Sequence, residues 1–155
     1  MILYQANINH LDKILELFRE TILNVNDKDY NENQLKAWAA GSADKERWAK
    51  KIATQYFVFA EIDEKMAGFS SIDPKGYLDT MFVDKTCQRM GVASFLYAEM
   101  ERKAIEQKNE TIVSDISITA RPFFERKGFY VVKEQQVPCR GEILQNFKMK
   151  KKLTQ

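Results

Sequence analysis

Residues 77–101 join three features in a fixed order: a short apolar run, a loop that carries Gly91, and a helical pattern. The apolar run has strand character, and Val92, Leu96 and Met100 recur at the four-residue spacing of one helix face. N–H groups in the first turn of a helix have no partners within the helix, and they lie at the positive end of its dipole. This segment therefore predicts a binding site for a phosphate group.

The loop has the residue types that such a site needs. Gly91 removes a side chain where the backbone must approach a ligand, and Ala93 keeps the next contact small. Lys85 and Arg89 can add positive charge beside the anion. The pattern of Gln or Arg, two residues, Gly, one residue, and Gly or Ala is weak alone. Its position between a strand and an amphipathic helix makes it informative.

The composition indicates one soluble globular domain over residues 1–155. With 45% hydrophobic and 30% charged residues, the chain has material for a core, but no apolar run approaches the roughly 20 residues of a membrane helix. The N-terminus lacks a secretion leader, so we expect a cytoplasmic protein without a membrane partner. A net charge of +2 is too small to attract the protein to nucleic acid, so we expect no nucleic-acid partner. Cys87 and Cys139 are expected to be free thiols. The acidic residues lack metal-ligand spacing, so we predict no metal.

The periodicity of the chain predicts a helical front third followed by strands. A strand over 2–6 precedes a helix with Asn9 as its expected N-cap. Gly41 should end a second helix, and Ser42 or Asp44 should cap a third. We then expect extended segments at 56–62, 66–72 and 77–83, a long helix, a strand at 111–115, a short helix at 119–127, and strands at 129–137 and 142–150. This order predicts an α/β protein of the α+β kind, a mixed sheet with helices on both faces.

Three segments of the chain resemble the GNAT superfamily of acetyl-coenzyme A dependent N-acetyltransferases. They are L-D-T-M-F-V at 78–83, Q-R-M-G-V-A at 88–93, and A-R-P-F-F-E-R-K-G-F at 120–129. The second is similar to the pyrophosphate loop of that superfamily, and the third to its later motif, a short helix that ends in Gly-Phe. The resemblance covers about the second half of the chain. It implies a mostly antiparallel sheet of six to seven strands, which opens as a V between the fourth and fifth strands.

The resemblance also implies a donor, a reaction and the residues that hold the donor. Acetyl-CoA would lie with its pantetheine arm in the V, and a neutral amine would attack the acetyl thioester directly. In the family, a bulge in the fourth strand points a backbone N–H at the thioester carbonyl, and the matching residues are near Phe82 and Val83. The residues that match the pyrophosphate loop and the start of its helix are Gln88, Arg89, Met90, Gly91, Val92, Ala93 and Ser94.

Two positions depart from the common family pattern. Phe124 stands where relatives often have a Tyr that protonates the leaving sulfur, and a phenyl ring in this cofactor site donates no proton. Either the thiolate leaves unassisted or through water, since a thiol has a pKa of roughly 8–9, or another residue substitutes. Ser117 stands where relatives often have Asn. It could hydrogen-bond the pantetheine arm, or it could cap the end of a strand.

Asp79 is the candidate base for the attacking amine. Strand alternation would place it on one face with Tyr77 and Met81, and a carboxylate within an apolar strand is costly unless it is paired or functional. In many relatives, a carboxylate on this strand relays the amine proton through water. The alternative is a structural ion pair with a basic neighbour, or a contact with a cationic substrate.

The acceptor is a small-molecule or peptide amine that the sequence does not identify. Relatives form one wall of its pocket from their first helices, so Tyr30 and Trp38 are candidate lining residues beside Asp79. Trp48 is a further candidate of this kind, and core packing is the favoured interpretation for both Trp38 and Trp48. Arg140, in the last hairpin, is a further candidate. Strand pairing between subunits would give a homodimer, and a non-catalytic acyl-CoA binding module is the rival function.

Overall fold

In the computed structural model, which describes residues 1–153, seven strands and five helices form the fold. The strands are β1 Ile2–Gln5, β2 Tyr56–Ile62, β3 Lys65–Ile72, β4 Leu78–Val83, β5 Thr111–Ser117, β6 Tyr130–Cys139 and β7 Glu142–Lys152. The helices are α1 Leu11–Val25, α2 Glu32–Ala39, α3 Lys45–Thr54, α4 Val92–Glu106 and α5 Arg121–Arg126. None of the helices in this part of the chain is long and apolar enough to cross a membrane.

The strands form two antiparallel sheets that meet at one place. The first has the order β1-β2-β3-β4, and the second has the order β5-β7-β6. Among the described residues, one parallel bridge, between Tyr77 and Val113, joins them, so β4 and β5 run side by side in the same direction. This mixed, mostly antiparallel arrangement confirms the predicted fold class.

The helix starts follow local capping, with two corrections to the predicted boundaries. Asn7, not Asn9, is the first N-cap, and it caps a 3₁₀ turn over Ile8–His10 that leads directly into α1: its side chain accepts from Asn9 N at 2.9 Å, and His10 Nδ1 accepts from Asn7 N at 3.0 Å. Gly41 does not end α2, since a 3₁₀ turn over Ala40–Ala43 follows that helix directly. Asp44 caps α3 as predicted, because its Oδ1 accepts from Arg47 N at 3.2 Å.

The closing hairpin is tighter than the sequence predicted. Only Arg140 and Gly141 separate β6 from β7, and both have positive φ, 43° and 85°. Two left-handed residues in succession are typical of a type I′ turn, whose twist matches that of the flanking strands. Pro138 therefore lies within β6 rather than in the turn.

The core has two parts, one on each face of the sheets. On the α4 and α5 side, Leu96, Met100 and Ile112 have no exposed surface. On the α1 to α3 side, the core contains many aromatic side chains, among them Phe57, Phe69 and Trp48. Core packing is thus the correct interpretation for Trp48, whereas Trp38 is only partly buried at the edge of this cluster.

Gly68 on β3 brings α4 and β4 close together. A Cβ at this position would lie 2.9 Å from Phe82 O and 2.9 Å from Val92 Cγ1. Real Cβ contacts are rarely under 3.0 Å, and the first of these atoms belongs to the backbone. Gly68 therefore sets the height of the start of α4 above the sheet.

We expect Gly68→Ala to lower the free energy of unfolding by about 1–3 kcal/mol, because overpacking forces the backbone or Val92 to move. Urea denaturation followed by circular dichroism measures this. Gly41→Ala is the matched control: its Cβ would meet nothing closer than 3.5 Å, so a change within about 0.5 kcal/mol is expected. Equal stability of both variants would contradict the close packing at β3.

Candidate functional site

Strands β4 and β5 separate beyond their bridge and leave a cleft. Val113 N donates to Gly76 O at 3.1 Å, and Ser114 Oγ donates to Leu78 O at 2.6 Å. Past these contacts, a cavity of about 410 Å³ lies between the strands. Its lining includes both strands, α5 and the start of α4. The predicted V-shaped opening is therefore present at the predicted place.

The loop between β4 and α4 is fixed by side chains that cap its backbone. Asp84 Oδ1 accepts from Thr86 N at 2.8 Å and from Thr86 Oγ1 at 2.6 Å. Burial opposes the charge, but these hydrogen bonds and Lys65 together hold the pKa of Asp84 below its usual value. Gln88 Nε2 donates to Val83 O at 2.8 Å. The predicted loop residue Gln88 thus shapes the loop through its side chain.

The start of α4 presents unpaired backbone donors to the cleft. The first helical bond runs from Phe95 N to Gly91 O at 3.0 Å, so the N–H groups of residues 92–94 lack partners inside the helix. Gly91 has φ 82° and Arg89 has φ 61°, and both residues are exposed. A Cβ at Gly91 would meet nothing closer than Met1 Cε at 3.9 Å. The open space, the donors and Arg89 fit a diphosphate.

Strand β4 has an irregularity at Asp79, not near Phe82. Ser71 pairs with Thr80 but Ile72 pairs with Leu78, so Asp79 is the extra residue. The predicted bulge near Phe82 and Val83 is wrong in position, since both residues keep regular register with β3. The bulge also breaks the alternation of side chains along the strand.

Because of this bulge, Asp79 and Met81 do not share a face, contrary to the prediction from strand alternation. Met81 packs against the core beneath α4. Asp79 instead contacts α3, where both Lys51 Nζ and Gln55 Nε2 bind its Oδ2, the latter at 2.8 Å. The sequence left open a structural ion pair or a contact with a cationic substrate. The ion pair with Lys51 is the first of these two possibilities. Its side chains are each 15% exposed.

The ladder of β4 directs two backbone N–H groups into the cleft. Hydrogen-bonded and non-bonded pairs alternate along antiparallel strands. Asp84 N donates to Ala67 O at 2.8 Å, so Phe82 also bonds to β3, and Met81 and Val83 face away from it. The N–H groups of Val83 and Met81 therefore point away from β3; the sequence indicated the first of these positions and not the second.

A second cavity of about 580 Å³ adjoins the first on the α1 to α3 side. Its walls include aromatic side chains from the first two-thirds of the chain: Phe18, Tyr30, Trp38, Trp48 and Phe82. Its charged lining residues are Arg47, Lys51, Asp79, Asp115 and Arg140. The two cavities share five lining residues, Trp38, Asp79, Phe82, Asp115 and Ser117. We call these five residues the junction.

Ser117 and Phe124 occupy the two positions that depart from the common motif. Ser117 Oγ accepts from Ala120 N at 3.1 Å, which is the capping role left open from the sequence. The Ser117 hydroxyl proton remains available to another acceptor. Phe124 is 3% exposed and packs edge-on against Tyr97 and Phe129 while lining the first cavity.

The predicted acceptor residues Tyr30, Trp38 and Arg140 all line the second cavity. Tyr30 OH donates to Gln145 O at 2.6 Å and accepts from Ile118 N at 3.0 Å. Burial raises the pKa of Tyr30, so its hydroxyl stays protonated near neutral pH. The hydroxyl thus ties the loop before α2 to the ends of β5 and β7.

Asp115 is a junction residue that the sequence analysis missed. Its Oδ2 accepts from Tyr77 OH at 2.7 Å, and its Oδ1 accepts from Gln135 Nε2 at 2.8 Å. Burial and the neighbouring Asp115 carboxylate raise the pKa of Tyr77 well above its usual value. Period-two alternation on β5 places Asp115 on the same face as Ser117, and that signal could have identified it.

Known proteins are similar to this chain in sequence and in fold. A family model described as an acetyltransferase (GNAT) domain matches residues 26–153. The uncharacterized N-acetyltransferase YafP of Escherichia coli (strain K12) is 38% identical over 140 residues, which cover 90% of this chain and 88% of that protein.

Two solved structures show the shared fold. A GCN5-related N-acetyltransferase from Rhodopseudomonas palustris has a TM-score of 0.95 at 24% identity, over 98% of this chain and 95% of that one. The PaiA N-acetyltransferase from Thermoplasma acidophilum, solved in complex with coenzyme A, has a TM-score of 0.80 at 18% identity, over 98% of each chain.

Replacing Gly91 with glutamate should weaken coenzyme A binding roughly tenfold or more beyond the effect of Gly91→Ala. Both variants strain the backbone at φ 82°, but only glutamate adds a negative charge beside the free N–H groups of α4. Isothermal titration calorimetry with coenzyme A measures the difference. If the alanine and glutamate variants bind coenzyme A equally well, the pyrophosphate does not lie at this loop.

Proposed function

The chain belongs to the GNAT acetyltransferase family, and on that premise we propose that it transfers acetyl from acetyl-CoA to a primary amine. The observation that carries the proposal is the junction, where a cleft beside a helix N-terminus opens into a second, aromatic-walled cavity. The family assignment confirms the predicted resemblance, including acetyl-CoA as donor. The roles of the individual site residues are proposals.

The first cavity supplies the groups that would hold the donor. The N-terminus of α4, with Arg89 beside it, would bind the pyrophosphate. The N–H groups of Met81 and Val83 would bind the pantetheine arm as a neighbouring strand would. When bound, acetyl-CoA supplies an activated thioester. A backbone N–H aimed at the thioester oxygen typically stabilises the transition state by on the order of 3 kcal/mol.

Asp79 is the proposed proton acceptor for the attacking amine. Lys51 and Gln55 both bind Oδ2 and so fix the orientation of the carboxylate. Within residues 1–153, Oδ1 has no hydrogen-bond donor, and Asp79 lines both cavities. Oδ1 is therefore the atom that would take the proton, directly or through a water molecule.

Ser117 is the proposed partner of the pantetheine arm near the sulfur. Its oxygen is held by Ala120 N, which leaves its hydroxyl proton to donate. Phe124 supplies no proton, so we propose that the thiolate takes its proton from water. A thiol pKa of roughly 8–9 makes this step less demanding than protonation of an alkoxide would be.

Location and assembly are also proposals. Cys87 and Cys139 are free thiols, as predicted, which suits a reducing compartment such as the cytoplasm. Strand β6 is an outer strand with exposed Tyr130 and Val132. A homodimer could form there through pairing of strand edges.

Acetyl transfer is tested by thiol release from acetyl-CoA with a panel of amino acids, polyamines, aminoglycosides and peptides. We expect acetyl-CoA to bind and at least one amine to accelerate thiol release, with an N-acetylated product detected by mass spectrometry. Tight coenzyme A binding without any turnover across the panel would favour the rival function, a non-catalytic acyl-CoA binding module, which Phe124 motivates.

Asp79→Asn should lower kcat roughly 100-fold or more, because the amide cannot accept the amine proton. Coenzyme A affinity should stay near that of the unaltered protein, since the Asp79 carboxylate binds Lys51 and Gln55 of the α3 segment and not the donors at the start of α4. Initial rates and coenzyme A titration measure the two effects. Asp63→Asn, in the exposed turn between β2 and β3, is the charge-matched control. If Asp79→Asn left turnover unchanged and Asp115→Asn greatly reduced it, Asp115 and not Asp79 would be the proton acceptor for the amine.

A further inference from the structure

The charges of the second cavity indicate what kind of amine it accepts. We propose that the acceptor carries an anionic group, such as a carboxylate, in addition to its amine, and that Arg47 and Arg140 bind this group. The inference rests on the proposed acetyl transfer. The proposed acceptor class is an amphipathic amino acid, or another compound that carries both an amine and an anionic group. A polycation does not belong to this class.

Cationic side chains outnumber carboxylates in this cavity. Three cationic side chains, Arg47, Lys51 and Arg140, line it together with two carboxylates, Asp79 and Asp115. Both carboxylates already have protein donors: Asp79 binds Lys51 and Gln55, and Asp115 binds Tyr77 and Gln135. A polycationic acceptor would meet a cavity with a net positive charge.

In the described part of the chain, the guanidinium groups of Arg47 and Arg140 lack acidic partners. Within residues 1–153, neither Arg47 nor Arg140 forms an ion pair. Unpaired guanidinium groups beside a cavity are suited to a carboxylate, because their planar N–H groups match its two oxygens. Both side chains belong to exposed residues, so a ligand can reach them from solvent.

Arg140 is held so that part of its guanidinium stays free. Its backbone is left-handed, with φ 43°, and its Nη1 donates to Ala37 O at 3.1 Å near the end of α2. Gly41 leaves space beside it: a Cβ there would lie 3.5 Å from Nη2. One nitrogen is thus anchored to the backbone, and the others remain for an anion.

The aromatic wall indicates an apolar body between the two charged ends. Tyr30 packs against Trp38 with ring centroids 5.4 Å apart, and Phe18 packs against Trp48 at 4.8 Å. All four line the same cavity as the arginines. The amine would lie at the junction near Asp79, where the acetyl group arrives, and the anion would lie at Arg47 and Arg140.

Matched pairs of amines that differ only in a carboxylate test the proposal. Suitable pairs are phenylalanine with phenethylamine, tyrosine with tyramine, tryptophan with tryptamine, and leucine with isoamylamine, and spermidine is the polycation. We expect kcat/KM to be roughly tenfold higher or more for the carboxylated member of the best pair, as charge-assisted hydrogen bonds would give. A preference for the decarboxylated members or for spermidine overturns the proposal and leaves acetyl transfer intact. Absence of turnover with every amine overturns the proposed function first.

Arg47→Glu should raise KM for the carboxylated amine roughly tenfold and lower it for the decarboxylated amine, with KM for acetyl-CoA unchanged. Arg140→Gln should raise KM for the carboxylated amine alone. Because Arg140 also contacts Ala37, a thermal unfolding measurement must show that the Arg140 variant is still folded. The Arg47 variant tests the proposal without this contact. Lys45→Gln removes a nearby positive charge outside both cavities, and it should leave both members of the pair unaffected. Equal changes for the two members would show that the arginines do not bind the anion.

Discussion

The site depends on the single bridge between β4 and β5. Within residues 1–153, the two parallel strands share one backbone bridge, at Tyr77 and Val113, and then diverge as they twist, so their facing backbone groups must find other partners. Ser114 satisfies Leu78 O at 2.6 Å close to the bridge. Farther along, the N–H groups of Met81 and Val83 point into open space. Backbone N–H groups that are left without partners in a cleft can bind another extended chain, and a pantetheine arm is an extended chain.

Local physics explains which parts of this arrangement the sequence predicts. The loop before α4 could be predicted because a strand, a glycine and a helix start act over about ten neighbouring residues. The cap at Asp44 is similarly local. The bulge at Asp79 has no comparable signal in L-D-T-M-F-V, since it depends on how β4 pairs with β3. One extra residue there was enough to move Asp79 to the opposite face.

Long-range contacts explain what the sequence could not predict about the site. Lys51 reaches Asp79 from a helix 28 residues earlier, and Tyr77 reaches Asp115 across 38 residues. Neither contact could be predicted from a motif, because each depends on how α3 and β5 pack against β4. The second cavity combines residues from α1, α2, α3 and the last hairpin. The proposed acceptor specificity is therefore a property of tertiary packing, while the proposed pyrophosphate site is formed by one contiguous segment.

The shared lining of the two cavities also constrains the order of events during turnover. A junction made of the same five residues gives the acetyl group and the amine one meeting place. Neither free thiol belongs to this junction: Cys87 lines the first cavity alone and Cys139 lines the second alone. Acetyl transfer then requires a ternary complex, and double-reciprocal plots of initial rate should intersect rather than run parallel.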